Sequence, residues 1–379
     1  MTSLQARASA LVAIWEAAIE AVSGYQSVAT ALQTDSAFKP DQVLAVGKAA
    51  AGMCQGALDN LPPCDALVVT KYDHADEALK ARERVTVLES AHPIPDQNSL
   101  AAGHALLERT FTMPPESRVL LLVSGGASAL AEALPADMTL DDLRAGTDEM
   151  IANGNTIGEI NAWRKQNSLI KDGKLIEAFH GAEIRVYAIS DVEGDGIETI
   201  GSGLGDCRRA STRASSKIVA SNGIARTQAE SRARELGLEV RENSETLYGD
   251  VFELAAQIGP RLGQAEPGVY LWGGEPTVRL PDSPGRGGRN QSLALALSEH
   301  VAGLDHVSLL VAGTDGTDGP TTAAGGLVDG DTWGDAAAAR DALERADAGP
   351  YLERQGALFV TGPTNTNVMD LVIAVVDER

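Results

Sequence analysis

Aromatic residues are scarce in this chain: Phe, Trp and Tyr together make up 4% of its 379 residues. The interior must therefore be filled by Ala, Val, Leu and Ile. Cysteine is nearly absent as well, with only Cys54, Cys64 and Cys207, an odd number without close spacing. That excludes a disulfide frame and a cysteine zinc site, and it fits reduced thiols in a cytoplasmic protein. Long apolar runs are missing, since none reaches the roughly 18 residues that span a bilayer. The N-terminal stretch carries Glu16 and Glu20 inside its apolar run. It reads as an amphipathic helix and not as a leader, so no membrane partner is expected. Basic residues are outnumbered, 31 Lys and Arg against 53 Asp and Glu, for a formal charge of −22. Nucleic-acid binding needs a basic face, so the balance argues against that partner.

What is present is a soluble globular composition, 44% hydrophobic and 22% charged. The length exceeds one ordinary core, so two domains are expected with an active site between them. Strand and helix patterns mostly alternate, which predicts an α/β protein of two three-layer α/β/α domains with largely parallel sheets. Strands are predicted at 43–46, 66–70, 85–89, 118–123, 183–189, 268–272, 307–312, 358–361 and 368–376. Residues 277–280 read as a continuation of the strand at 268–272. Helices are predicted over 4–23, 26–34, 98–110, 139–152, 156–171, 221–236, 246–264, 290–299 and 333–346. The polar stretch Arg208–Ser216 reads as an exposed loop. The boundary falls within 235–265 and is drawn at 240, giving domains 1–240 and 241–379.

Several glycine-rich or polar segments lie at predicted strand ends. Gly47-Lys48 puts a lysine beside a helix start, where it can reach a phosphate. The alternative is a surface lysine on a first helical turn. Gln42 and Ala49 break the P-loop pattern. Ser124-Gly125-Gly126-Ala127-Ser128 has the free N–H groups of an anion nest, or else is a tight turn with a serine cap. Ser190-Asp191 closes a strand where ligands bind in open sheets, so Asp191 can orient a hydroxyl, take its proton or meet a metal. His92 in a proline-rich loop is either an available imidazole or a structural one.

Arg286-Gly287-Gly288-Arg289-Asn290-Gln291 opens a helix with two arginines that can stabilise a transferring phosphoryl group. It lacks the dinucleotide fingerprint. Gly313-Thr314-Asp315-Gly316-Thr317-Asp318-Gly319-Pro320-Thr321 combines glycines that approach a ligand with two aspartates suited to a divalent metal. Thr361-Gly362-Pro363-Thr364-Asn365-Thr366-Asn367 is a third loop of this kind.

In this order, these segments resemble the class II glycerate kinases, the glycerate 2-kinase family whose C-terminal part is called the MOFRL domain. Val46–Ala50, His92–Asp96, Ile189–Val192, Gly274–Val278 and Asn161–Lys165 carry further likeness, so positions from about 43 to 370 are covered. The resemblance implies a Rossmann-like N-terminal domain and a MOFRL C-terminal domain flanking the active-site cleft. It implies transfer of the ATP γ-phosphate to D-glycerate, most often at the 2-hydroxyl, with Mg²⁺. Lys48, Asp191 and Arg289 match the family's catalytic set. Ser124, Gly125, Gly126, Ser128, His92, Arg164, Arg286, Asn290, Gly313, Thr314, Thr364 and Asn365 are expected around substrate and phosphates, and Asp315 and Asp318 around the metal. Two departures stand out. Ser202-Gly203 runs into Leu204 where the family has proline, and Asn365–Met369 departs from the family's Gly-Thr-Asn-Val-Asn. The alternatives are a kinase for a related hydroxy or aldonic acid, a kinase that forms 3-phosphoglycerate and, behind these, a hydroxypyruvate reductase; the oligomeric state, a homo-oligomer included, is left open.

Overall fold

Runs such as Gln42–Val46 and Arg118–Val123 are apolar along their length. That is the pattern of strands buried on both faces, and both are strands. The computed structural model describes residues 3–379, the side chains of Ser3 and Ile157 excepted. By packing, the chain divides into two units: Ser23–Ser221, and the segment up to Val22 together with Asn222–Arg379.

The unit Ser23–Ser221 holds six strands: β1 (Gln42–Val46), β2 (Asp65–Lys71), β3 (Val85–Ser90), β4 (Arg118–Val123), β5 (Glu183–Ile189) and β6 (Arg213–Ala220). Their spatial order is β3-β2-β1-β4-β5-β6. All five pairings are parallel. Helices Ala50–Asn60 and Gln97–Phe111 make crossovers. The strand order reverses at β1 and β4, and ligands bind beyond the carboxyl ends of strands at such a switch point.

The second unit holds β7 (Val240–Glu245), β8 (Gly249–Asp250), β9 (Gly268–Gly274), β10 (Pro276–Thr277), β11 (Val307–Gly313), β12 (Gly325–Asp329), β13 (Leu358–Phe359) and β14 (Asp370–Val376). Its six-stranded sheet runs β13-β12-β11-β14-β9-β7. Only β7 and β9 pair parallel there, and the other four pairings are antiparallel. The prediction of largely parallel sheets thus holds for the chain as a whole, with the antiparallel ladders gathered in this unit. A core of Leu293, Leu297, Leu309, Val311, Val372 and Trp272 ties helix Arg289–Val301 to the sheet.

Three expectations are corrected. The polar stretch Arg208–Ser216 is not all loop, because Arg213 begins β6. That strand is at the sheet edge, where one row of backbone groups faces solvent and polar side chains are at home. Residues 277–280 do not continue β9; Pro276–Thr277 leaves the sheet to pair with β8. The helix predicted over 156–171 ends at Gln166. By packing, the units part at Ser221/Asn222, ahead of the sequence boundary at 240, and the first helix, Ser3–Val22, packs with the second unit. That helix packs on helix Asn222–Glu235, β11 and β14. No helix among the described residues is long and apolar enough to cross a membrane.

Candidate active site

In the parallel unit, the turns after β1 and β4 are laced together by backbone hydrogen bonds. Lys48 N donates to Gly125 O at 2.9 Å, and Ser124 N to Val46 O at 3.0 Å. Ser124 Oγ accepts from Ala49 N at 3.1 Å. Close approach needs glycine here: a Cβ on Gly125 would strike the Asp191 carboxylate, and one on Gly126 would crowd His92 and Lys48. Lys48, His92 and Asp191 are thereby gathered around one glycine pair. A cavity of about 230 Å³ opens beside it, lined by His92, Gly126, Ser128, Arg164, Asp191 and Ser202 among others. Ser128 Oγ and Ser202 Oγ share a hydrogen bond of 2.9 Å. Arg164 Nε is buried without a hydrogen-bond partner among the described residues. Burial, reinforced by Lys48, Lys71 and His74, pushes His92 down to about 4. The ring is neutral at pH 7, and it serves as a donor or acceptor and not as a cation.

In the second unit, helix Arg289–Val301 starts without a side-chain cap from Gly288. Asp318 supplies one from a distance: its carboxylate accepts from Asn290 N at 3.0 Å and from Gln291 N at 2.8 Å. An anion at this end also suits the helix dipole. Gly288 has no room for a Cβ, which would collide with Asp318. Burial raises the Asp318 carboxyl above the usual range, against the pull of the Gln291 and Asn290 donors.

Arg289 is held by two carboxylates. Its Nε donates to Asp370 Oδ2 at 2.6 Å, and its Nη1 to Glu275 Oε1 at 2.7 Å. Asp370 sits in β14 between Gly313 of β11 and Gly274 of β9. A Cβ on Gly313 would come within 3.2 Å of the Asp370 carboxylate, and one on Gly274 would strike the Leu247 backbone. Burial, only partly offset by Arg289, raises Asp370 to about 6. Burial alone would lower Arg289, but Asp370 and Glu275 outweigh it and the guanidinium is raised. A cavity of about 470 Å³ is lined by Gly287, Arg289, Asn290, Asp315, Asn367 and Asp370 among others. The buried Asn290 Oδ1 has no partner among the described residues.

The predicted residues thus fall into three groups. Lys48, Gly125, Gly126, Ser128, His92, Arg164 and Asp191 cluster in the first unit, and Arg289, Asn290 and Asp315 line the larger cavity of the second. Gly313 adjoins them at the end of β11. Arg286 lies apart, on a smaller cavity described below. Asp318 lines the larger cavity beside Asp315, and both its oxygens also accept from the helix start and the Gln291 side chain, so it serves as a cap as well. Others are corrected. Ser124 fastens the β1 turn. Thr314 is buried, donating to Met369 O and accepting from Val368 N. Thr364 Oγ1 donates to Thr314 O. Asn365 is exposed at a φ of 58°, and Asn367 lines the cavity in its place. Asp370, Glu275 and Ser202 were not foreseen. The signal for Asp370 was a lone carboxylate at the mouth of an apolar run.

Residues 10–236 match the family model described as Domain of unknown function (DUF4147), and residues 268–370 match the MOFRL family. Glycerate 2-kinase from Pyrococcus horikoshii is 34% identical over 89% of this chain and 87% of its own length. A protein named as a hydroxypyruvate reductase, from Agrobacterium vitis, is 32% identical over 87% of this chain and 97% of its own. The crystal structure of a glycerate kinase from Thermotoga maritima matches with a TM-score of 0.90 at 29% identity, covering 98% of this chain and 100% of that one. The chain belongs to the MOFRL family of glycerate 2-kinases.

Proposed function

We propose that the protein transfers the γ-phosphate of ATP to D-glycerate at the 2-hydroxyl, giving 2-phosphoglycerate and ADP. The observation that carries this reading is Arg289, a guanidinium clamped at Nε and Nη1 on the wall of a 470 Å³ cavity. A positioned arginine suits charge spread over a phosphoryl group in flight. Asp191 orients the glycerate hydroxyl and accepts its proton. Lys48 neutralises phosphoryl charge. Arg164, with a buried Nε lacking a partner, offers a carboxylate a donor.

The residues fit a Mg²⁺ of the substrate-bridging kind. No group of three His, Cys, Asp or Glu side chains among the described residues could hold a metal alone. Mg²⁺ is commonly bound through one or two carboxylates plus substrate phosphates, which suits Asp315 on the cavity wall. Bound there, it would neutralise phosphate oxygens.

A reductase reading draws on the strand order of the first sheet, which is that of dinucleotide-binding folds. Fold alone does not carry function. The turn after β1 reads Gly47-Lys48-Ala49-Ala50-Ala51-Gly52, without the glycines that bring a backbone up to a pyrophosphate. The decisive experiment is ADP release from MgATP with D-glycerate, with enolase added to report 2-phosphoglycerate. ADP with an enolase signal is expected. ADP without that signal moves the phosphate to the 3-hydroxyl. No ADP, with NADH oxidised by hydroxypyruvate, overturns the reading.

A further inference from the structure

Gln291 is fully buried, yet only half of its amide is satisfied. Its Nε2 donates to Thr321 Oγ1 at 2.8 Å, to Asp318 Oδ2 at 3.0 Å and to Asp318 O at 3.2 Å. Three acceptors on one side fix which end of the amide is nitrogen. The carbonyl Oε1 therefore points the other way, and it has no hydrogen-bond partner among the described residues. A buried acceptor without a donor is uncommon and asks for an explanation.

Oε1 lies against Gly349, where a Cβ would come within 2.6 Å of it. On this side a cavity of about 140 Å³ opens. Ala323, Pro350, Leu358 and Val360 give it apolar walls, and the exposed Arg286 and Glu353 give it a charged edge. One buried acceptor between apolar walls, with Thr321 and Thr322 as further polar lining, suits a flat ring that carries an N–H donor. The neighbouring residues Gly287, Gly288 and Arg289 line the larger cavity instead. The chain passes from one cavity to the other within three residues, at most about 10 Å of backbone, which a ribose and its phosphates can bridge.

We propose that the 140 Å³ cavity is the nucleobase subsite, taking an adenine whose exocyclic amine donates to Gln291 Oε1. The assignment rests on the kinase reading, and it adds a preference to it. Guanine places a carbonyl where adenine places its amine, so two acceptors would face each other and Gln291 would stay unpaired. Arg286 then lies beside the base or ribose and not at the transferring phosphate.

The test is calorimetric titration of the full chain with ADP, GDP and inorganic tripolyphosphate, in wild type and in Val360→Trp. Val360 is 60% exposed, so the larger ring is accommodated at the surface while filling the slot. Expected are an ADP affinity lowered at least about tenfold, unchanged tripolyphosphate affinity, and GDP at least about tenfold weaker than ADP in wild type, the scale of one lost hydrogen bond. Glu353→Trp, at a second exposed position on the same slot, repeats the measurement should Val360→Trp misfold. ADP binding unchanged in a folded variant overturns the subsite, as does GDP binding as tightly as ADP. Failure of the kinase reading looks different: ADP binding falls in the variant while the wild type phosphorylates no hydroxy acid.

Discussion

The two units position charge by opposite means. Around Gly125 and Gly126, Lys48 and Asp191 are placed by backbone turns that interlock at the ends of parallel strands. Around Arg289, the guanidinium is placed by counter-charges, one of them buried in the middle of an antiparallel sheet. Backbone placement ties these side chains to the fold less tightly than a buried ion pair does. Counter-charge placement ties activity to stability, because each member of a buried pair depends on the other.

Arg289→Ala is the largest break in this comparison. A lost phosphoryl-stabilising arginine is expected to lower kcat by about a thousandfold. It also strips a buried carboxylate of its partner, a loss on the order of 3–5 kcal/mol when a pair is fully enclosed. Proton uptake by Asp370 trims that figure. The double variant Arg289→Ala/Asp370→Asn should regain stability in urea denaturation and regain no activity. If the double variant recovers turnover, Arg289 is not part of the chemistry.

Asp191→Asn tests the other unit. Loss of a proton-accepting group is expected to lower kcat by about a hundredfold or more, with a smaller loss of stability than in Arg289→Ala. Gly125→Ala should cost a comparable amount with Asp191 still present, because the added methyl displaces the carboxylate. A folded Gly125→Ala enzyme at full rate would show that the close approach is incidental.

The same contrast governs what could be read in advance. Strands 118–123 and 183–189 were legible to the residue, since the first is almost wholly apolar and buried on both faces and the second ends in the buried run Val186–Ile189. β6 and β7 were not, because edge strands such as Arg213–Ala220 and Val240–Glu245 carry polar side chains that resemble loops. Lys48, His92 and Asp191 were legible as candidates because each adjoins a turn at a strand end. Asp370 was hidden inside a stretch read as a terminal strand. Its meaning comes from register, with Gly274 and Gly313 as cross-strand neighbours far away in sequence. Asp315 and Asp318 are equivalent on paper. Only the fold shows that both reach one cavity wall and that Asp318 alone also caps a helix.

Asp370→Asn sharpens the counter-charge side. The amide can still accept from Arg289 Nε, so a kcat loss of about tenfold is expected, the scale of one weakened charged hydrogen bond. The pH profile is more telling. Arg289, Asn290 and Asp318 are the groups that act on Asp370, which titrates at about 6. Wild-type kcat should fall as pH drops through about 6 and Asp370 takes a proton. That limb should vanish in Asp370→Asn. An unchanged acid limb would assign it to another group.

The smallest effect has the opposite sign and occupies the same window. Asp370 is raised on folding from 3.8 to about 6. Its contribution to stability is complete below about 4 and is lost as pH rises through 6. His92 is lowered on folding from 6.5 to about 4. Its contribution is complete above 6.5 and is lost as pH falls towards 4. Between pH 4 and 6.5 the two slopes oppose each other, so the wild type can look indifferent to pH while both groups titrate. His92→Asn should unmask the difference. Solvent reaches part of the ring, so the change in stability across that window is expected to be only about 1 kcal/mol, with kcat altered a few fold. Chemical denaturation of wild type and His92→Asn at pH 4.5 and 7 measures it. An identical pH slope in both proteins would mean that the imidazole is not held neutral beside Lys48.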